Sequence, residues 1–136
     1  MERQKDIAEA LMRRLIDFLF RRKRGVEVRG MDKGEALGYK HEAEHRLGIK
    51  WRGDYIRVLA EPGTEMSNDR PWLGKRLPGI NGVATGYYSD DRITYFTTGG
   101  RVRPATGVHE WGHAILHTHR VPVAEHHAVM RRHGIH

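Results

Sequence analysis

Two histidines four residues apart, with a glutamate directly after the first, occupy residues 109–113, which read His-Glu-Trp-Gly-His. On a helix, side chains at this spacing lie on one face, with Cβ atoms about 5–6 Å apart. Two imidazoles so placed can reach one zinc ion, each at about 2.0–2.1 Å. The glutamate of such a motif is not a ligand, because it faces the water on the metal and takes its proton. His109 and His113 are therefore candidate metal ligands, and Glu110 is the candidate general base.

The same motif occurs a second time, at residues 41–45, which read His-Glu-Ala-Glu-His. Charged residues surround this copy, whereas the neighbours of the copy at 109–113 are uncharged. Those neighbours are Val108, Trp111, Gly112, Ala114, Ile115 and Leu116. A motif helix that packs against the core of the domain must tolerate burial at its other positions. This requirement selects 109–113 as the metal site and predicts that His41 and His45 lie on a solvated helix.

A catalytic zinc site needs a third protein ligand beside a water molecule. His117 continues the helical face of His109, but eight residues span about 12 Å along a helix, which is too far for one metal. The side chains that remain open as third ligands are His119, Glu125, His126 and His127. The chain has no cysteine, which excludes thiolate ligands and disulfides. A transition metal must therefore be bound by His, Asp or Glu.

The elements that must position these residues follow from periodicity and turn signals. Apolar residues at three- and four-residue spacing predict an amphipathic helix over 4–22, followed by the basic run 21–24 and a terminating glycine. Further helices are predicted over 33–47, 104–117 and 122–133, strands over 26–29, 55–60, 83–88 and 92–97, and an irregular connection over 61–82. The sequence thus predicts one α+β domain over 1–136. Its N-terminal helix, within 1–24, packs on a small mixed sheet, and a hairpin and the motif helix fill 80–120.

The motif and its surroundings resemble a known superfamily. Gly-Val-His-Glu-Trp-Gly-His-Ala-Ile-Leu-His, residues 107–117, looks like the active-site helix of the zincin metallopeptidases and is similar to the ImmA/IrrE type. The predicted hairpin before it resembles the strands that precede this helix in ImmA/IrrE-type and SprT- or WLM-like minimal zincins. The resemblance implies a zinc metallopeptidase that hydrolyses peptide bonds, with Zn²⁺ as cofactor. It also implies that an extended peptide or protein substrate docks along Gly86, Tyr87 and Tyr88.

The resemblance also ranks the candidates for the third ligand. His119 has the third-ligand spacing of metzincins and of the WLM-type relatives of SprT, and is preferred. This choice requires the helix to end soon after His113 and the chain to fold back. Glu125 is the alternative, as a carboxylate supplied by the next helix in gluzincins, while His126, His127 or no third ligand stay open. A donor to the oxyanion of the reaction is also needed. The candidate donors are Tyr87, Tyr95, His126 and His127.

Charge and hydropathy limit the partners. Lys and Arg number 24 against 17 Asp and Glu, which gives a net charge of +7. This balance favours an acidic partner such as nucleic acid, with the basic end of the N-terminal helix as the candidate contact. No segment is apolar enough to span a bilayer and the N-terminus lacks the apolar stretch of a signal peptide, so we expect no membrane partner and a cytoplasmic location.

Two alternatives to a free-standing protease stay open. The first is a zincin-fold binding or assembly protein whose zinc site is structural or vestigial; four protein ligands would favour it. The second is a DNA-associated or regulator-directed protease of the SprT or ImmA/IrrE type, which differs from the main prediction only in its substrate.

Overall fold

The computed structural model describes residues 2–19, 23–62, 86–89, 91–97 and 99–136. In chain order the elements are α1 (Glu2–Leu19), β1 (Gly25–Arg29), α2 (Lys33–Leu47), β2 (Tyr55–Pro62), β3 (Gly86–Ser89), β4 (Arg92–Thr97), α3 (Pro104–Thr118) and α4 (Val123–Arg132). The four helices and the small mixed sheet confirm the predicted α+β class. Most of the predicted irregular connection over 61–82, and the first residues of the predicted hairpin, lie outside the described residues.

The four strands form one sheet in the order β1-β2-β4-β3. The first three strands in this order run parallel to one another, and β3 pairs antiparallel with β4. In that pairing Gly86 lies opposite Tyr95, and Ser89 lies opposite Arg92. Among the described residues β3 is therefore an edge strand with one paired side.

Alternating burial along the strands fixes which face carries the core. Ile56, Val58 and Ala60 of β2 are buried, and the residues between them are only half-buried. This is the pattern expected when successive side chains point to opposite faces of a sheet. The same apolar cluster contains Trp111 and Ile115 of α3 together with buried residues of two strands, namely Ile56, Val58 and Ala60 of β2 and Ile93 and Tyr95 of β4. The helix with the predicted metal motif is thus packed against the sheet.

Local capping defines both ends of α2, which lies against α3. The side chain of Asp32 accepts a hydrogen bond from the backbone N–H of Glu35 at the first turn. Gly48 ends the helix in the left-handed conformation, with φ of 70°. Both signals are readable in the sequence, since Asp is a favoured N-cap residue and Gly is favoured after the last turn.

The second HExxH copy lies on α2, in the orientation that its charged neighbours predict. His41 and His45 are exposed. Glu44 instead points inward, where its carboxylate accepts the backbone N–H of Trp51 at 2.8 Å and pairs with Lys40 at 3.3 Å. The buried carboxylate of this copy therefore has a structural role, and its histidines are not part of the metal-ligand cluster found among the described residues.

Close approach of α4 to α3 depends on a glycine inside the motif. A Cβ atom at Gly112 would collide with Sδ of Met130, a fully buried residue of α4. Interiors are packed too densely to admit such an extra atom without a shift of the neighbouring helix. Gly112 thus allows α4 to lie next to the histidines of α3.

A tight turn joins α3 to α4. Arg120 has a positive φ of 60°, which is unusual for a residue with a side chain. Its N–H donates to the carbonyl of His117, and the N–H of Val121 donates to the carbonyl of Leu116, each at 3.0 Å. This pair of bonds is a Schellman motif, which closes the last turn of a helix. The chain direction reverses here, so that α4 returns along α3.

The N-terminal helix corrects one part of the predicted architecture. Five large apolar side chains in the described part of α1 are about half exposed: Ile7 58%, Leu11 60%, Met12 56%, Leu15 51% and Ile16 47%. None of the described side chains of α1, residues 3–16, belongs to the apolar cluster formed by the other elements. The predicted packing of this helix on the sheet is therefore wrong for the described side chains. None of the helices in the described part of the chain combines the length and apolarity needed to cross a membrane.

Candidate metal centre

Three histidine rings converge between α3 and α4. His109 and His113 lie one turn apart on α3, His127 lies on α4, and their ligand nitrogens are within 4.8 Å of one another. The Nε2 atoms of His109 and His113 are 3.1 Å apart. Tetrahedral zinc with Zn–N bonds of about 2.0–2.1 Å places its ligand nitrogens about 3.4 Å apart. The α3 pair is close to that spacing, so the cluster could hold a metal ion. Imidazole suits several transition metals, and the donors alone do not choose among them.

The third histidine of the cluster is His127, whereas the sequence favoured His119. The preference for His119 required the chain to fold back soon after His113, but α3 continues beyond that residue for more than one turn. A ring nitrogen of His119 instead donates to the carbonyl oxygen of Lys50, at 2.6 Å. Glu125, the alternative, is exposed in the first turn of α4 and is not part of the cluster. Of the candidate third ligands, the cluster therefore contains His127 and neither His119 nor Glu125.

A helical spacing in the sequence distinguishes the two adjacent histidines of α4. Neighbouring residues on a helix point about 100° apart, so the two side chains cannot face the same way. His126 lies four residues before Met130, and both are buried on the core side of α4. His127 therefore points away from the core side, toward His109 and His113. Met130, an apolar residue four positions after His126, is the signal in the sequence that could have distinguished His126 from His127 as a third ligand.

Burial keeps the two histidines of α3 neutral. Burial lowers the pKa of His113 to about 3, and the three neighbouring histidine rings act in the same direction. Burial also lowers the pKa of His109, with a further contribution from His127, while a hydrogen bond to the backbone of His136 acts in the opposite direction. Only neutral imidazole binds a metal, because a protonated ring has no free lone pair. At neutral pH both side chains are therefore in the ligating form.

Glu110 is buried beside the cluster, and one oxygen of its carboxyl group lacks a described hydrogen-bond partner. The residue is 5% exposed, and no described residue is a hydrogen-bond partner of its Oε2 atom. Burial raises the pKa of this carboxyl to about 8, since an ionised group without a partner is costly away from water. A proton acceptor with a pKa near the working pH suits general base catalysis.

The edge strand borders both the carboxylate and the cluster. A Cβ atom at Gly86 would lie 2.7 Å from Thr106 Cγ2 and 2.8 Å from Glu110 Cγ, so only glycine fits there. Tyr88, on the same face of β3, has its ring parallel to that of His113, with centroids 6.3 Å apart and an interplanar angle of 4°. Tyr87, the third predicted substrate contact, lies between them in the strand. The predicted docking strand is thus next to the predicted base.

Two of the candidate oxyanion donors already use their protons within the protein. The Tyr95 hydroxyl donates to the carbonyl oxygen of Gly107 at 2.9 Å. His126 Nε2 donates to the carbonyl oxygen of Val121 at 2.8 Å. Neither group can therefore donate to an oxyanion without breaking a buried hydrogen bond.

Comparison of the chain with models of protein families, with curated proteins and with solved structures gave no match. The likeness to zincin metallopeptidases thus depends on the residues of α3 and of the hairpin before it. Any function must be argued from the site itself, where three histidines, a buried carboxylate and an edge strand meet.

Proposed function

We propose that the protein is a metal-dependent peptidase, with zinc as the first candidate for its metal. His109, His113 and His127 are the ligands, and Glu110 is the general base. The observation that carries this proposal is the convergence of three imidazoles next to a buried carboxylate whose Oε2 has no described partner. A buried, unpaired carboxyl lowers stability. Groups with strongly shifted pKa values beside potential metal ligands are typical of catalytic sites.

The proposed mechanism assigns one role to each group. A zinc ion supplies Lewis-acid polarisation of the scissile carbonyl and activation of water at neutral pH. Oε2 of Glu110 accepts the proton of the attacking water and then transfers it to the nitrogen of the leaving amine. A positive charge nearby lowers the pKa of this carboxyl and favours its ionised form, as a base requires. The low-dielectric surroundings of Glu110 strengthen the attraction between this positive charge and the carboxylate.

The edge strand is the proposed docking site for the substrate. An extended peptide can add to β3 through backbone hydrogen bonds, because β3 has only one paired side among the described residues. The position of Gly86 against Glu110 brings the backbone of such a peptide close to the base. An extended segment of an unfolded protein is therefore the proposed substrate class.

A structural or vestigial metal site in a binding protein has less support. A closed structural site needs a fourth protein ligand, whereas a catalytic site keeps one position open. His126 already has hydrogen-bond contacts at both ring nitrogens. His117 is exposed and contacts Tyr88, outside the cluster. Three candidate ligands, with no fourth among the described residues of the cluster, favour the enzyme.

Metal content of the purified chain tests the first half of the proposal. We expect about one zinc ion per chain after reconstitution, and loss of that ion in His109→Ala and His127→Ala. His119→Ala is the matched control, because this histidine also follows the motif but bonds to Lys50 instead. Retention of zinc by His127→Ala, with loss in His119→Ala, would restore the sequence-based choice of third ligand.

Hydrolysis of an unstructured protein such as casein tests the second half. Glu110→Gln should retain zinc and lose turnover, because the amide cannot accept the proton of water. Zinc bound by a wild-type protein that cleaves neither casein nor a library of extended peptides would favour the binding-protein alternative. Cleavage that persists in Glu110→Gln would remove Glu110 from the mechanism.

A further inference from the structure

A fourth histidine contacts the cluster without belonging to it. His126 is 1% exposed and lies on the core side of α4. Its Nδ1 atom is 3.0 Å from Nδ1 of His113, and its Nε2 atom is 2.8 Å from the carbonyl oxygen of Val121. The ring therefore bridges a backbone carbonyl and the far side of a proposed ligand.

The protons in this chain of contacts can be assigned from the first partner. A carbonyl oxygen carries no proton, so His126 Nε2 must be the donor to Val121. A neutral imidazole has one N–H, and Nδ1 of His126 must then be an acceptor. His113 consequently donates from its own Nδ1 atom. The lone pair of His113 is left on Nε2, which faces Nε2 of His109 at 3.1 Å, inside the cluster.

The carbonyl of Val121, the first group in this series of hydrogen bonds, is itself held in place. The N–H of Val121 donates to the carbonyl of Leu116 at 3.0 Å in the turn that closes α3. The orientation of the Val121 carbonyl is thus set by the turn at the end of α3, the helix that carries His113. A backbone group cannot change its protonation, so it is a dependable reference for the tautomer of a histidine.

The geometry points to His126 as a positioning residue that sets the tautomer and ring orientation of His113. The Val121 carbonyl fixes His126, His126 fixes His113, and Nε2 of His113 is thereby kept as a lone-pair donor toward the cluster centre. Its use in metal binding rests on the proposed function, whereas the tautomer itself is a property of the metal-free protein. Hydrogen-bond partners of this kind typically change metal affinity by about 10–100-fold when removed.

The tautomers can be read directly by long-range 1H–15N NMR correlation on the full, metal-free chain with 15N-labelled histidine. We expect His113 in the Nδ1–H form in the wild type at pH 8. His126→Leu should abolish this preference and weaken zinc binding by about 10–100-fold in a chelator competition. His126→Asn offers an oxygen near the former Nδ1 position and should restore much of both properties.

His127→Leu is the matched control, because it removes a proposed ligand from the neighbouring position of α4. It should abolish zinc binding and leave the tautomer of His113 unchanged. The inference is overturned if wild-type His113 is in the Nε2–H form, or if both His126 variants keep the wild-type tautomer and affinity. A wild type with the expected tautomer that binds no zinc would overturn the proposed function alone.

Discussion

The buried carboxyl of Glu110 predicts an unusual dependence of stability on pH. The folded protein holds this proton more tightly than the unfolded chain does, because burial raises the pKa from 4.5 to about 8. Between these two values the folded state binds more protons, so the metal-free protein loses stability as the pH rises. Glu110→Gln removes the ionisable group while keeping its size and shape. The variant should therefore become more stable than the wild type as the pH increases.

The size of the effect follows from the pKa shift. Each pH unit between 4.5 and 8 changes the free energy of unfolding by about 1.4 kcal/mol. The ionisation penalty on the wild type at pH 7 is then about 3 kcal/mol, against little more than zero near pH 4.5. This is a large fraction of the stability of a typical domain, which is about 5–15 kcal/mol.

Urea unfolding of chelator-treated protein at pH 5, 6, 7 and 8 measures this difference. The stability of Glu110→Gln relative to wild type should rise by about 2–3 kcal/mol between pH 5 and pH 7. Glu125→Gln, at an exposed position of α4, should follow the wild type within about 0.5 kcal/mol. A stability difference for Glu110→Gln that stays constant over this pH range would refute the reasoning.

Three further predictions concern the edge strand, the turn after α3 and the basic segment. Gly86→Ala should destabilise the protein by about 1–3 kcal/mol in urea unfolding, since its Cβ overlaps two side chains of α3. The control is Gly38→Ala in α2, where a Cβ meets nothing within 4 Å, and this variant should stabilise the protein by about 1 kcal/mol. Arg120→Gly should stabilise by about 1 kcal/mol in thermal unfolding, because glycine tolerates the φ of 60°; no gain over Arg120→Ala would contradict this. Single-stranded DNA should bind at low salt and dissociate at moderate salt, and serine at all positions of 21–24 should remove this binding in fluorescence anisotropy; an unchanged affinity would dismiss the segment as the contact.

Local signals in the sequence were sufficient to locate most elements around the site. The predicted helix over 104–117 agrees with α3, because a proline at its first turn and a run of apolar positions mark it. The predicted helix over 33–47 coincides with α2, whose caps are an Asp and a Gly. The predicted strand over 92–97 has the bounds of β4. These features depend on residues close together in the chain.

The third histidine of the cluster depended on long-range geometry that no local signal contains. The turn that ends α3 places Arg120 in the left-handed conformation, where the sequence would lead one to expect glycine. Without that marker the reversal of the chain after α3 was not predictable, and the spacing of His119 looked suitable for a ligand. Which way the two histidines of α4 point is then set by how Met130 packs on Gly112.

The exposure of α1 was not predictable for a different reason. Periodicity identifies an apolar face on a helix but does not say which surface covers it. The apolar cluster of the remaining elements contains no described side chain of this helix. The sequence therefore predicts the amphipathic character of α1 correctly, and its packing on the sheet incorrectly for the described side chains.

Because the histidines of the cluster are divided between α3 and α4, a bound metal would also affect the stability of the C-terminal helix. α4 has ten residues, of which two are buried, and an isolated helix of that length is marginal in water. A metal held by both α3 and α4 would act as a cross-link between them. At a free concentration a thousandfold above its dissociation constant, the ion adds about 4 kcal/mol to the folded state. Amide hydrogens of α4 would then exchange slowly with solvent when the metal is bound, and quickly after the metal is removed by a chelator. Hydrogen exchange in this helix would therefore report occupancy of the site before any substrate is identified.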